Sequence, residues 1–360
     1  MLDNSIPTDW ESIPPSQAIV RYPVDCHPTR IHRLGSAGGF SGAQFWRLET
    51  PRGMLCLRRW PGEFPAYPSP KQLSFIHDVL EHVHRHGFTK ISVPIRTLNG
   101  RSIVSLAGHL WELSPWMPGI ASYLPERHPR KLTAAMQTLA EWHRAAVDFP
   151  SNDQSPAPSP GIEARLLQID QLRSGGFDRL VNAVQRAHVR DHNSAELARL
   201  ARKLFELYPR IEASIRPQLS AALNVRVPLQ PCIRDVWHDH VLFEGEEVSG
   251  LIDFGALKVE SVAGDVARLL DSMAGDDLAA WQFGLTAYQA IRPLSRDELF
   301  LVSAFDESLA LLSGMNWLDW IFLSGRVFED LKQVISRLRT VVDRLEVFLH
   351  FRRVKFAQLA

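Results

Sequence analysis

The sequence predicts a two-lobed α+β protein, with a small antiparallel-sheet lobe ahead of a larger, mainly helical one. Three observations carry this reading. Short apolar segments between residues 31 and 113 alternate with the period of two that marks strands, and a single helix-spaced stretch interrupts them. Beyond residue 119 apolar side chains recur at helical spacing to the C-terminus, broken by a linker-like stretch and one hairpin-like stretch. The length, 360 residues, is more than one hydrophobic core usually serves and enough for two.

Residues 1–25 hold several prolines and little periodicity, and read as an irregular arm. Ile31–Leu34 is a short strand, followed by the glycine-rich loop Gly35-Ser-Ala-Gly-Gly-Phe-Ser-Gly42. Gln44–Thr50 and Met54–Trp60 alternate on either side of a Pro51-Arg-Gly53 turn, which makes three antiparallel strands. The proline-rich stretch 61–70 is loop. Lys71–His86 sets Leu73, Ile76, Leu80 and Val83 on one helical face, and Gly87 stops it. Ile91–Val93 and Ser102–Leu106 read as strands around an Asn99-Gly100 turn. His109–Leu113 is a further strand, ending in a hinge at 114–119. Leu132, Ala135, Met136, Leu139 and Trp142 then share a helical face, and Phe149–Gly161 has the composition of a linker. Residues 162–220 carry two or more amphipathic helices. Leu229–Phe243 is strand-like, Glu244–Glu247 turns, and Val248–Ile252 runs into Asp253-Phe-Gly255. From Gly264 onward the pattern is helical. The expected division is an arm at 1–25, a first lobe at 26–113 and a second lobe at 114–360 that includes the hairpin.

Composition excludes some functions. Forty basic and forty acidic residues cancel, so no basic field marks a nucleic-acid binder. No apolar run reaches about 18 residues, the length a membrane helix needs. The N-terminus lacks the basic start and apolar run of a signal peptide. Cys26, Cys56 and Cys232 are widely spaced and read as small buried hydrophobes in a reducing compartment, so the expected location is the cytoplasm. Nothing in the sequence speaks to oligomeric state.

The chemistry concentrates around two acids, in Cys232-Ile-Arg-Asp-Val-Trp-His-Asp-His-Val-Leu-Phe243 and Gly250-Leu-Ile-Asp-Phe-Gly255. Phosphoryl transfer asks for a carboxylate to orient the attacking hydroxyl and for a metal to neutralise charge between the phosphates. A carboxylate on a tight loop, then a hairpin, then a carboxylate before glycine supplies the groups for both. The loop 35–42, between two strands, suits phosphate contact by backbone N–H groups.

On these motifs the chain resembles the aminoglycoside phosphotransferase and choline-kinase-like family, distant relatives of protein kinases. That family carries roughly His-Gly-Asp-x-x-x-x-Asn, a hairpin, then Ile-Asp-Phe/Trp-Gly. The resemblance spans roughly residues 30–330 and implies a protein-kinase-like fold. It implies that Asp235 is the catalytic aspartate, with Arg234 beside it, and that Asp253 is the metal ligand, with His240 at the asparagine position. Asp265 falls on an aspartate that buttresses the catalytic loop. Gly35, Gly38, Gly39 and Gly42 would cover the ATP phosphates, Arg58 takes the place of the third-strand lysine, and Glu112 or the backbone beside it falls at the adenine hinge. Leu139-Ala-Glu-Trp-His143 matches the family's Leu-Ala-x-Leu-His helix. The implied cosubstrate is ATP, the ion Mg²⁺ with Mn²⁺ as the alternative, and the partner a small-molecule hydroxyl acceptor. The chain departs from the pattern at Ile233, Arg234, Arg58 and His240, and the first helix offers Gln72, His77 and Asp78 where a glutamate is expected. Ile233, Arg234 and His240 motivate a second reading, a nucleotide-binding regulatory protein with little transfer activity.

Other readings compete locally. His238, Asp239 and His240 could form a zinc site of a hydrolase, although a further ligand is not evident. His143 reads as a packed helix histidine, and Trp317–Trp320 as core. Asp306, Glu307 and Asp319 read as solvated helix faces, or by the resemblance as lining of the acceptor site.

Overall fold

In a computed structural model that describes residues 14–36, 42–62, 68–150, 155–188, 191–326, 328 and 330–355, the chain opens with a short helix, α1 (Pro14–Ile19). This corrects the expectation of an irregular arm. Proline costs little in the first turn of a helix, where its missing N–H would be unpaired anyway. Ala18, Ile19, Tyr22 and Cys26 are buried in one cluster with sheet residues, which is what orders the segment.

β1 (Arg30–Gly35), β2 (Gln44–Thr50) and β3 (Gly53–Arg59) pair antiparallel. Gly53 closes the β2–β3 turn at φ +110°, a conformation that other L-residues rarely adopt. α2 (Pro70–Arg85) starts on a capping box in which Ser69 and Gln72 satisfy each other's backbone N–H, so Gln72 is a cap. β4 (Val104–Leu106) and β5 (His109–Pro115) complete a five-stranded sheet in the order β1-β2-β3-β5-β4. The stretch expected as a strand at 91–93 is reduced to one bridge, from Ile91 to Leu251, because Pro94 has no N–H to continue a ladder.

The helical part follows. α3 (Pro129–Ala146) and α4 (Pro160–Gln171) each begin with proline, and a two-residue strand, β6 (Ala157–Pro158), lies between them. α5 (Phe177–Arg186) and α6 (His192–Ala222) come next. Three short strands follow, β7 (Arg226–Val227), β8 (Gln230–Cys232) and β9 (Val241–Glu244), then β10 (Glu247–Leu251) and β11 (Lys258–Glu260). β9 pairs with β10, β8 with β11 and β6 with β7. The chain ends in α7 (Val262–Ala274), α8 (Leu278–Gln289), α9 (Arg296–Leu318) and α10 (Leu331–Lys355). Asp306 and Glu307 are not on a solvated face. Both are buried on α9, Asp306 accepting from Arg344 and Glu307 from the Ser303 hydroxyl. Asp319 is half-buried and accepts from Ser324 at 2.7 Å. Trp317 is buried, edge-on to Trp320. Among the described residues, no helix is long and apolar enough to cross a membrane.

The chain divides into two compact units. The first comprises 1–126 and 239–257, the second 127–238 and 258–360. The division differs from the sequence reading in three places, the first being that residues 14–25 belong to the first unit. The first unit extends past the 114–119 segment, and the β9–β10 hairpin belongs to it and not to the helical part. Backbone bonds explain this: Ile120 and Phe243 exchange N–H···O bonds of 3.1 and 2.8 Å, and the Leu251 N–H donates to Lys90 at 2.8 Å. Gly119 permits the approach, since a Cβ there would meet Ser249 and the Phe243 carbonyl.

Candidate active site

In the first unit, Asp253 follows β10 with φ +60°, one of three non-glycine residues in the left-handed region among the described residues. Such backbone is uncommon and costs free energy, so the surroundings must enforce it. Gly255 leaves room for the turn, because a Cβ there would lie 2.9 Å from the Trp60 ring. Arg58 Nη2 donates to Asp253 Oδ1 at 3.1 Å, and His240 Nε2 lies 3.8 Å from Oδ2. Burial works to raise the Asp253 carboxyl, but Arg58, His240 and the Gly255 N–H outweigh it and hold it below its ordinary value.

Arg58 is fixed from several sides. Its guanidinium sits 3.5 Å from the centre of the Trp60 ring and 5.0 Å from that of Phe45. Across the ladder its partner is Glu112, whose Oε1 is 3.9 Å from Nη1. The other Glu112 oxygen meets His77 Nε2 of α2 at 2.7 Å. Burial raises the Glu112 carboxyl and the His77 and Arg58 contacts lower it, with the net below its usual value. His77 thus takes the place where a helix glutamate was looked for, and Glu112 supplies the carboxylate. The Glu112 side chain is turned to these two partners.

In the second unit, Arg234 is the next left-handed residue, with φ +66°. Asp265, fully buried in the first turn of α7, accepts the Ile233 N–H at 2.7 Å and the Arg234 N–H at 2.6 Å. His143 Nε2 reaches the same carboxylate at 3.1 Å, and its Nδ1 meets the Tyr288 hydroxyl at 2.7 Å. Burial pushes the His143 pKa down, against the pull of Asp265. Asp235 accepts from Arg268, one helical turn after Asp265.

Among the candidate residues, the structure brings Arg58, Asp253 and His240 together in one unit, and Arg234, Asp235 and Asp265 in the other. Gly35 and Gly42 flank the glycine loop with φ +65° and +75°, while Gly38 and Gly39 lie outside the described residues. The proposed zinc trio does not form. Among the described residues the one group of convergent metal-type ligands is His143, Cys232 and Asp265, and their atoms already bond to Tyr288, to the Glu260 carbonyl, and to backbone N–H groups and each other. Sequence reasoning named His77 among three helix candidates but missed that it pairs with Glu112, and it missed Trp60 as the plate under Arg58, and Arg268. Arg268 was within reach, since three residues after Asp265 on a helix is the same face.

The donor set at Asp253 fits one divalent cation. A single carboxylate, completed by water and phosphate oxygens, is a common Mg²⁺ arrangement, and the neighbouring imidazole favours Mn²⁺ more than an amide oxygen would.

Residues 34–294 match the model of the phosphotransferase enzyme family. Curated relatives include the homoserine kinase of Beijerinckia indica subsp. indica, 24% identical over 80% of this chain and 80% of its own length. Another is the homoserine kinase of Chelativorans sp. (strain BNC1), 28% identical over 74% of this chain and 75% of its own. Among solved structures, an aminoglycoside phosphotransferase from Alicyclobacillus acidocaldarius is 17% identical with a TM-score of 0.57, covering 95% of this chain and 96% of its own. A spectinomycin phosphotransferase in complex with ADP and spectinomycin reaches a TM-score of 0.64 at 12% identity, covering 88% of this chain and 92% of its own. These solved structures speak for the fold.

Proposed function

The chain belongs to the phosphotransferase enzyme family, and from that premise we propose that it transfers the γ-phosphoryl group of ATP to a hydroxyl of a small, homoserine-like acceptor. The observation that carries the reading is a pair of acids on tightly enforced backbone. Asp235 follows the left-handed Arg234, and Asp253 is itself left-handed and beside a positive charge. In this reading Asp235 orients the acceptor hydroxyl and takes its proton. Asp265 holds the loop that presents Asp235. Asp253, with His240 beside it, would hold Mg²⁺ or Mn²⁺, which neutralises charge between the phosphates when bound. Arg58 adds fixed positive charge next to Asp253, and Gly35 to Gly42 cover the phosphates. The curated relatives named homoserine kinase support an amino-acid-like acceptor, since they match most of their own length.

The test is Asp235→Asn. A positioned base contributes on the order of 10²–10⁴ in rate. Turnover of ATP with homoserine falls by about that factor in the variant, while ATP binding measured by calorimetry stays within a few-fold. Turnover retained by the variant moves the chemistry away from Asp235. A wild-type protein that binds ATP but transfers to no acceptor would favour the regulatory nucleotide-binding reading.

A further inference from the structure

Beside Asp235 the second unit contains a recess of about 410 Å³, counting the space open to solvent. Arg165, Arg234 and Arg268 line it, with Glu260, Phe305 and Leu309. Three guanidinium groups around one small recess are not explained by holding the catalytic loop. Arg268 is the one that pairs with Asp235. Arg165, on α4, spends its N–H groups on neutral oxygens: Nε on the Ser308 hydroxyl at 3.0 Å and Nη1 on the Gly161 carbonyl at 3.3 Å. Its guanidinium lies 4.5 Å from the centre of the Phe305 ring. Arg234 uses its backbone N–H on Asp265, and among the described residues its guanidinium has no carboxylate partner. Glu260, the acid whose charge acts on Arg165, is buried and accepts from the Ser159 hydroxyl at 2.5 Å and the Ser261 N–H at 2.8 Å. Asp265 also lines the recess, with its carboxylate turned to the Ile233 and Arg234 N–H groups and to His143, so among the described residues the guanidinium groups of Arg165 and Arg234 have no carboxylate at hydrogen-bond distance. Burial pushes the Arg165 guanidinium down to about 10, opposed by Glu260 and assisted by the charges of Arg234 and Arg268. An arginine brought near others inside a protein is stabilised by a bound oxyanion, which its planar fork receives in two hydrogen bonds.

We propose that this recess receives the anionic group of the acceptor, so that the substrate is a hydroxyl compound carrying a carboxylate or a phosphate ester. Arg165 and Arg234 bind the anion, and Phe305 and Leu309 face a short aliphatic body. The acceptor hydroxyl then lies toward Asp235, which shares Arg268 with the recess. Polycationic acceptors are disfavoured by the guanidinium groups of Arg165 and Arg234. This deepens the phosphotransferase reading and rests on it.

The test compares wild type, Arg165→Gln, Arg165→Lys and Arg234→Asn, the last because asparagine tolerates left-handed backbone. Acceptors are L-homoserine, its carboxamide, glycerol 3-phosphate, 1,4-butanediol and kanamycin, with thermal unfolding confirming that each variant folds. Losing a charge-assisted hydrogen bond corresponds to roughly 10–100-fold in affinity. Wild type should therefore show a KM for homoserine at least about tenfold below that for the carboxamide. Arg165→Gln and Arg234→Asn should raise the KM for homoserine by about 10–100-fold with kcat much less affected, and Arg165→Lys should recover part of the loss. A preference for glycerol 3-phosphate over homoserine keeps the recess and assigns it to a phosphate ester. Equal losses for homoserine and its carboxamide, or a wild type that prefers butanediol or kanamycin, overturn the proposal. If wild type transfers to none of the five, the phosphotransferase reading fails instead. Calorimetry of homoserine and glycerol 3-phosphate then still decides the recess: binding lost in Arg165→Gln supports it, and binding unchanged or absent overturns it.

Discussion

Asp253 and Arg234 hold backbone that costs on the order of 1–3 kcal/mol for a residue with a side chain. At Asp253 the cost is offset by Arg58 and by the Gly255 N–H, both of which favour the ionised carboxylate. Asparagine is among the residues that tolerate this conformation, so Asp253→Asn removes the charge without disturbing the turn. We expect it to reduce the Mg²⁺-dependent part of ATP affinity by at least about tenfold, the lower bound found even for residues that only support metal ligands. Calorimetry with and without Mg²⁺ measures this, and an unchanged Mg²⁺ effect would remove Asp253 from the metal site. His240 differs in kind. Its nitrogen lies 3.8 Å from Asp253, where an amide would offer an oxygen that suits Mg²⁺ better. His240→Asn is expected to keep or raise Mg²⁺-supported turnover and to lower the ratio of Mn²⁺ to Mg²⁺ activity. Loss of activity with both ions would give the histidine a role of its own.

At the scale of the element, α7 organises the loop before the hairpin. Asp265, Arg268 and Ser272 follow one another at three and four residues and so share a face. Asp265 takes the backbone N–H groups of Ile233 and Arg234, Arg268 takes Asp235, and the Ser272 hydroxyl accepts the His238 N–H at 3.1 Å. The loop from 233 to 238 is thus hung on one helix, with His143 of α3 behind Asp265. Asp265→Ala strands two buried N–H donors and a histidine, a loss of the size measured for broken buried pairs, about 3–5 kcal/mol. Asp265→Asn keeps one good acceptor and is expected to cost less, about 1–3 kcal/mol. Urea unfolding gives both values. Turnover should fall in Asp265→Asn even where the protein is fully folded, because Arg234 and Asp235 lose their register. Full activity in that folded variant would reduce Asp265 to a stability residue. The aspartate was legible from its motif, whereas its helix partners were not, since helical spacing names a face without saying what lies opposite.

For the whole molecule, three groups push stability in one direction with pH. Asp253 and Glu112 titrate below their ordinary values, so their contribution is complete above about pH 4.5 and is lost as pH falls through the depressed values. His143 is held neutral by burial, whereas in the unfolded chain it takes a proton near pH 6.5. Its term begins to erode stability below pH 6.5 and continues down to its lowered folded value. Chemical unfolding should therefore show stability falling between about pH 7 and 5. His143→Asn, less stable at neutral pH for want of its bonds to Asp265 and Tyr288, should show a flatter slope over that interval. Equal slopes in the two proteins would mean that His143 takes up its proton alike in the folded and unfolded states.

The sequence by itself determined the sheet-then-helix order, the two segments that carry Asp235 and Asp253, and the buttress at Asp265. The order and the two segments rest on local signals, a period, a turn residue or a short motif, and the buttress on the resemblance those motifs carry. Tertiary structure alone decided that residues 14–26 fold into the sheet's core, and that the 239–257 hairpin belongs with the sheet and not with the helices. It alone made Glu112 and His77 the partners of Arg58's environment, and buried Asp306 against Arg344. It alone gathered Arg165, Arg234 and Arg268, which are separated by 69 and 34 positions in the numbering, around one recess. The physical reason is common to these cases. A charged or polar side chain carries no mark in sequence of whether it will meet water or an opposite charge, because that depends on which distant segment packs against it.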